Sequence, residues 1–219
     1  AIVRAIAEKI EVKCNRVAFI AGAGELTSEF LLGVGVSVDE LQDDQILKTD
    51  QLRAYDAVVV GIRALNTRKN IKYVLPALMR YVQSGGTVIM QYNTLQDLAT
   101  TDIAPLPLTI SRSRVTEEDA PVRLLLPEHP LLTTPNRITE EDFQGWVQER
   151  SLYNPSPYDS RYQELLEMHD KGDQPQRGAL LYVRAGKGHF IYTSLALFRQ
   201  LPAGIVGAMK LFANLVSMH

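Results

Sequence analysis

The sequence predicts an α/β fold: an open, mostly parallel sheet with helices on both faces. Three short runs, Arg16–Ala21 (RVAFIA), Ala57–Gly61 (AVVVG) and Thr87–Tyr92 (TVIMQY), are almost continuously apolar. Runs of this kind are buried on both faces of a parallel sheet rather than on one. Between the second and third, Val74, Leu75, Leu78, Tyr81 and Val82 recur with helical spacing, and Gly85-Gly86 stops the pattern. Strands alternating with amphipathic helices place helices over a sheet whose strands run in one direction.

The elements follow in chain order. Arg16–Ala21 ends in Gly22-Ala23-Gly24, a turn signal, and Glu25–Leu32 has helical character. Val36–Leu41 (VSVDEL) alternates as a second strand, and Ala57–Gly61 is the third. The helix Ile71–Ser84 and the strand Thr87–Tyr92 complete a β-α-β-β-α-β order. From residue 94 to about 176 the chain is rich in Pro, Asp and Glu, with strand-like pieces only at Leu108–Arg112 and Val122–Leu126. This segment reads as an insertion. Regularity returns with Ala179–Arg184 and His189–Thr193 around Gly186-Lys187-Gly188, a β-hairpin, and a last helix covers Val206–Met218.

Composition sets limits on function. With 46% hydrophobic and 22% charged residues in 219, the chain is an ordinary globular domain and not a disordered one. A net charge of −2 excludes a generic attraction to nucleic acid or anionic lipid. No apolar run approaches the ~20 residues that span a bilayer. The single cysteine, Cys14, excludes an internal disulfide and a cysteine-clustered zinc site. The start, AIVRAIAEKIEVK, has neither an initiating methionine nor a signal-peptide layout, so residues 1–15 are expected to be a linker or helix within a longer polypeptide.

The familiar catalytic patterns are missing. Gly22-Ala23-Gly24 after a strand resembles the start of a dinucleotide fingerprint, with Asp39 or Glu40 as the ribose acid, but the third glycine is replaced by Thr27. His129, His169, His189 and His219 have no spacing that sets two on one helical face, so no metal is expected. Ser194 follows a strand without the glycines of a nucleophile elbow and reads as a helix cap. Polar side chains at strand ends remain. Arg63 and Asn66 follow the third strand, Gln91 and Asn93 end the fourth, and Arg199 and Gln200 follow the hairpin. In an open α/β sheet these ends line one crevice. The stretch DFQGWVQERSLYN adds the only tryptophan, Trp146, next to Glu149 and Arg150.

RVAFIAGAGE, YDAVVVGIRALNT, GGTVIMQYNT, APVRLLLPEHPLL, PNRITEEDFQGWVQERSLY and GKGHFIYTSLALFRQLPAGIVGAMKLFANL together resemble the C-terminal region of bacterial LmbE-like (PIG-L family) deacetylase proteins. The resemblance covers nearly all of the chain after about residue 16, and GWVQER and FRQLPAG are its most specific parts. It implies a flavodoxin-like fold similar to class I glutamine amidotransferases. The deacetylase zinc motif has no counterpart, because His129-Pro130 runs into Leu131-Leu132. The amidotransferase cysteine is absent from Gln91-Tyr92-Asn93-Thr94, and so is the His-x-Glu pair after the late strand.

The resemblance therefore implies a single non-catalytic accessory domain that needs no cofactor. It would recognise a carbohydrate or pack on the catalytic deacetylase domain of the same polypeptide. The alternatives are a hydrolase using Glu149 or Asp142 as general base, and a purely interfacial domain. Its compartment stays open; membership of an exported protein would make it periplasmic or extracellular. The expected site is one crevice formed by Arg63, Asn66, Asn93, Trp146, Glu149, Arg150 and Arg199, with the insertion folded over it. Trp146 is expected to anchor that insertion by burying its ring, and Glu149 and Arg150 to pair with each other or to line the crevice.

Overall fold

A computed structural model describes residues 8–219. The expectation of a linker or helix at the start falls partly on residues 1–7, outside the described residues. Residues 8–15 contain no helix. They run along the domain, where Glu11 N–H donates to Asn136 (3.0 Å) and Lys13 N–H to Ser217 (2.9 Å).

The chain proceeds through β1 (Arg16–Ile20), α1 (Thr27–Gly33), β2 (Ser37–Glu40), the short α2 (Asp43–Ile46) and α3 (Thr49–Leu52), and β3 (Ala57–Val60). After α4 (Ala64–Thr67) come α5 (Ile71–Gln83) and β4 (Thr87–Gln91). The insertion supplies β5 (Leu108–Val115), β6 (Val122–Leu124), α6 (Pro130–Thr133), a 3-10 turn (Glu140–Phe143), β7 (Ser151–Tyr158), β8 (Gln163–Glu164) and β9 (Leu166–Met168). The hairpin β10 (Leu180–Ala185) and β11 (Gly188–Thr193), then α7 (Leu197–Gln200) and α8 (Val206–Val216), finish the domain.

One seven-stranded sheet has the order β2-β1-β3-β4-β11-β10-β8. Its first five strands are parallel; β10 pairs antiparallel with β11, and β8 antiparallel with β10, so that only β10 runs against the rest. With β11 as the fifth parallel strand, this is the flavodoxin-like order 2-1-3-4-5. The expected parallel neighbours β1, β3 and β4 are present.

Side chains of each strand alternate between two cores. Val17, Phe19, Ala57, Val59, Ile89 and Ile191 meet Leu31 of α1 and Phe212 of α8. Ala18, Ile20, Val58, Val60, Val88 and Phe190 meet Val74, Leu78 and Val82 of α5. Every residue of β3 and β4 is buried, which explains the apolar spelling of β3 and of the centre of β4.

The insertion holds more strand than its sequence pattern suggests. β5 pairs with β7 in an irregular antiparallel ribbon, β6 pairs with β9, and β8 joins the main sheet. The register of β5 on β7 shifts three times, and Pro155 and Pro157 lie within β7. Alternation is lost there, so neither piece spells a regular strand. Leu131, Leu132, Phe143, Trp146, Leu166 and Met168 share the α8-side core, so the insertion packs into the same core as the sheet.

Candidate functional site

The carboxyl ends of β1, β3, β4 and β11 meet at one rim. The turn after β1 packs against the turn after β3, where Ala23 N–H donates to the Ile62 carbonyl at 2.8 Å. A Cβ on Gly22 would collide with that carbonyl and stand 2.7 Å from the Ala64 nitrogen, so close approach requires glycine here. Glu25 then reaches across three strand ends. It accepts from Ile62 N–H (2.6 Å), from the Gln91 amide (2.9 Å) and from the Thr27 hydroxyl. Burial raises its pKa, while these three donors oppose the rise. Gly61 lies beneath its carboxylate, in space a Cβ would occupy.

Arg63 follows β3 with φ 55° and ψ 20°, a left-handed conformation rare for a long side chain. Its N–H donates to the Tyr92 carbonyl at 2.8 Å, and its own carbonyl accepts from Asn66 and Thr67 N–H. The side chain is exposed and joins none of the ion pairs among the described residues. Tyr92, just past β4, is only 7% exposed. Its ring lies parallel to that of Tyr153 at 6.5 Å and tilted against Phe198 at 5.3 Å. Burial raises the Tyr92 pKa; Arg63 and Arg199 pull it down, and Glu149 and Glu25 push it up. The Tyr92 phenol thus feels the charge of four groups, and its hydroxyl has no hydrogen-bond partner among the described residues.

The segments GWVQER and FRQLPAG, about fifty residues apart, are bolted together. Gln200, fully buried, accepts from Val147 N–H (2.9 Å) and donates to the Val147 carbonyl (2.9 Å). Arg199 Nε binds Glu149 at 2.6 Å, and its guanidinium lies 4.9 Å from the Phe198 ring centre. Ala196 N–H donates to the Arg150 carbonyl and Leu152 N–H to that of Ser194, both at 2.9 Å. Trp146 is 3% exposed, packs on Phe143 at 5.2 Å and donates its indole N–H to the Asp142 carbonyl. It anchors the insertion as expected, and burying such a ring contributes about 3 kcal/mol.

Of the residues expected at the crevice, Arg63 lies just past β3, and Glu149 and Arg199 pair with each other at 2.6 Å. Asn66 and Asn93 are close by but are turned to the backbone. Asn66 clasps Thr94 and Gln96, and buried Asn93 bridges Leu65 N–H and the Gln91 carbonyl. Arg150 is neither a crevice group nor a partner of Glu149. It is 4% exposed and donates to the carbonyls of Ala120 and Phe143, and its burial lowers its pKa to about 10. Trp146 belongs to the core, not to the crevice lining. Asp142 serves the 3-10 turn, accepting from Thr139, and faces Lys210 at 3.6 Å, which removes it as a crevice base. Ser194 caps no helix; it is buried and donates to Asn154 at 2.7 Å.

Glu25, Tyr92, Tyr153 and Phe198 were not anticipated as site residues. An acid directly after a glycine turn, and an aromatic directly after a buried strand, are the signals that could have marked the first two. Open concavities lie elsewhere, for example beside α5 between Leu75, Met79 and Thr100.

A doubly wound sheet with its polar cluster at the strand ends defines the class: the fold is flavodoxin-like and glutamine amidotransferase-like. No family model and no curated protein matches the sequence. Solved structures do. A cytoplasmic protein from Salmonella typhimurium is 15% identical over 91% of this chain and 97% of its own, with a TM-score of 0.59. A ThuA-like protein from Bacteroides uniformis is 13% identical over 96% of this chain and 93% of its own, with a TM-score of 0.58. An exo-β-1,4-mannosidase from an Opitutaceae bacterium is 12% identical over 91% of this chain but 35% of its own, with a TM-score of 0.52. At these identities the likeness is one of fold.

Proposed function

We propose that this chain is a non-catalytic carbohydrate-binding accessory domain, attached in its parent protein to an LmbE-like, PIG-L-type deacetylase. The observation that carries the binding reading is the Tyr92–Tyr153 ring pair beside Arg63, with an unpartnered phenol hydroxyl at its centre. A half-buried ring such as Tyr153, backed by Tyr92 and flanked by a few fixed polar groups, suits the apolar face and hydroxyls of a sugar ring. Attachment to a deacetylase rests on the sequence resemblance. That the fold can form a minor part of a longer chain is in keeping with it, since the match spans 35% of the mannosidase.

The rival reading, a hydrolase, loses two of its acids: Glu149 is held by Arg199, and Asp142 accepts from Thr139 and faces Lys210. It would have to work through Glu25, whose oxygens are occupied by three protein donors.

Titration of the 219-residue chain with N-acetylglucosamine, glucose, galactose and mannose, followed by amide NMR shifts, tests the proposal. Saturable shifts at Tyr92 and Tyr153, lost in a Tyr153→Ala variant that remains folded, are expected. Shifts absent for every sugar, or centred away from the strand ends, would refute it.

A further inference from the structure

We infer that the strand-end crevice selects a saccharide bearing one carboxylate, a uronic acid in preference to a neutral sugar, with Arg63 and the Tyr92 hydroxyl receiving the acid group. This deepens the carbohydrate reading and rests on it. The rim arginines differ in one respect. Arg199 is bound to Glu149 at 2.6 Å and Arg68 to Asp43 at 2.5 Å, whereas Arg63 has no acid partner among the described residues. It is also fixed at its root. A direct backbone bond of 2.8 Å joins Arg63 N–H to the Tyr92 carbonyl, so the free guanidinium and the unpartnered phenol rise from adjacent strand ends. A guanidinium fork and a phenol O–H together present donors to both oxygens of a carboxylate. Burial keeps the phenol protonated and able to donate.

The charge count argues for a single negative charge. Arg199 is already neutralised by Glu149, so Arg63 is the one rim guanidinium without a direct acid partner among the described residues, which matches a single carboxylate better than a phosphate dianion. Arg63 also sits in a backbone conformation that disfavours its side chain, a feature that concentrates at ligand clamps.

Calorimetry of the 219-residue chain with glucuronate, glucose and glucose 6-phosphate at low ionic strength is the test. Glucuronate should bind about tenfold more tightly than glucose, the worth of one charge-assisted hydrogen bond. Arg63→Gln should erase that preference and Arg63→Lys should keep part of it, with the melting temperature unchanged in both, because the side chain is exposed. Tyr92→Phe should weaken glucuronate severalfold. Glucose 6-phosphate should bind no better than glucuronate. Equal affinity for glucose and glucuronate would overturn this inference and leave the carbohydrate reading standing, as would tighter binding of the phosphate. Binding of none of the three would overturn both.

Discussion

Replacing Gln200 by leucine removes the clasp that holds GWVQER to FRQLPAG while nearly preserving volume. The Gln200 amide makes two 2.9 Å bonds, one to each backbone group of Val147, and a longer contact of 3.4 Å to the Glu149 carbonyl. Each good bond is worth about 1 kcal/mol net, and leaving the partly buried Val147 groups unpaired adds a desolvation cost of similar size. The sum is about 3 kcal/mol. For a chain of this length that corresponds to a fall of about 9 °C in melting temperature. Urea unfolding of Gln200→Leu should show a lower midpoint at unchanged slope. Hydrogen exchange should show the Val147 amide losing protection ahead of β3 and β4. Gln200→Glu is a sharper variant, because it retains the acceptor for Val147 N–H but sets a carboxylate against the Val147 carbonyl. A loss below about 1 kcal/mol in Gln200→Leu, with Val147 exchange unaltered, would refute the clasp.

Two further outcomes follow. Arg63→Gly should raise stability by about 1 kcal/mol, because glycine enters the left-handed region freely, although its larger unfolded-state entropy takes back part of the gain; unchanged or lower stability in urea melts would show that the conformation carries no strain. His129 and His189 flank Tyr182, with a His129–Tyr182 ring distance of 4.7 Å and the Tyr182 hydroxyl 2.8 Å from His189 Nδ1. Burial lowers both histidine pKa values, with His189 adding to the effect on His129, and Arg184 and His219 to that on His189. Above the unfolded value of about 6.5 these groups leave stability unaffected; as pH falls through it the unfolded chain binds protons that the fold resists. Stability should therefore fall between about pH 7 and 5, and His129→Asn with His189→Gln, in which asparagine can still cap α6, should flatten that slope in urea melts.

The sheet was legible because its strands are buried on both faces. β3 and β4 have no exposed residue, so hydrophobicity alone marks them, and the glycines of the hairpin fix β10 on β11. The insertion was less so. Its ribbon is irregular, and β8 is too short to leave a pattern. At the site, position was readable and direction was not. Glu149 and Arg150 are neighbours in a bent segment, after Gln148 at φ 66° and a turn bond from Glu149 N–H to the Val147 carbonyl, so no regular period tells that one meets Arg199 and the other enters the core. Asn66 and Asn93 lie past strands as expected, yet loop backbone must be satisfied before any ligand can be, and it uses their amides. Glu25 was hidden because its partners, Ile62 and Gln91, come from other strands.

The rims of the seven-stranded sheet bear on how the domain behaves among other molecules. One rim is β2, four residues long, with Asp39 held by Arg16 and Glu40 exposed. The other is β8, two residues long, beside an Arg177 paired to Glu164 and Glu167. A rim that is short and charged offers little backbone for a foreign strand to extend, and proteins use such rims to resist stacking into aggregates. The insertion thus shields a flank that the hairpin, with its six-residue β10, would otherwise have left as an open template for strand pairing.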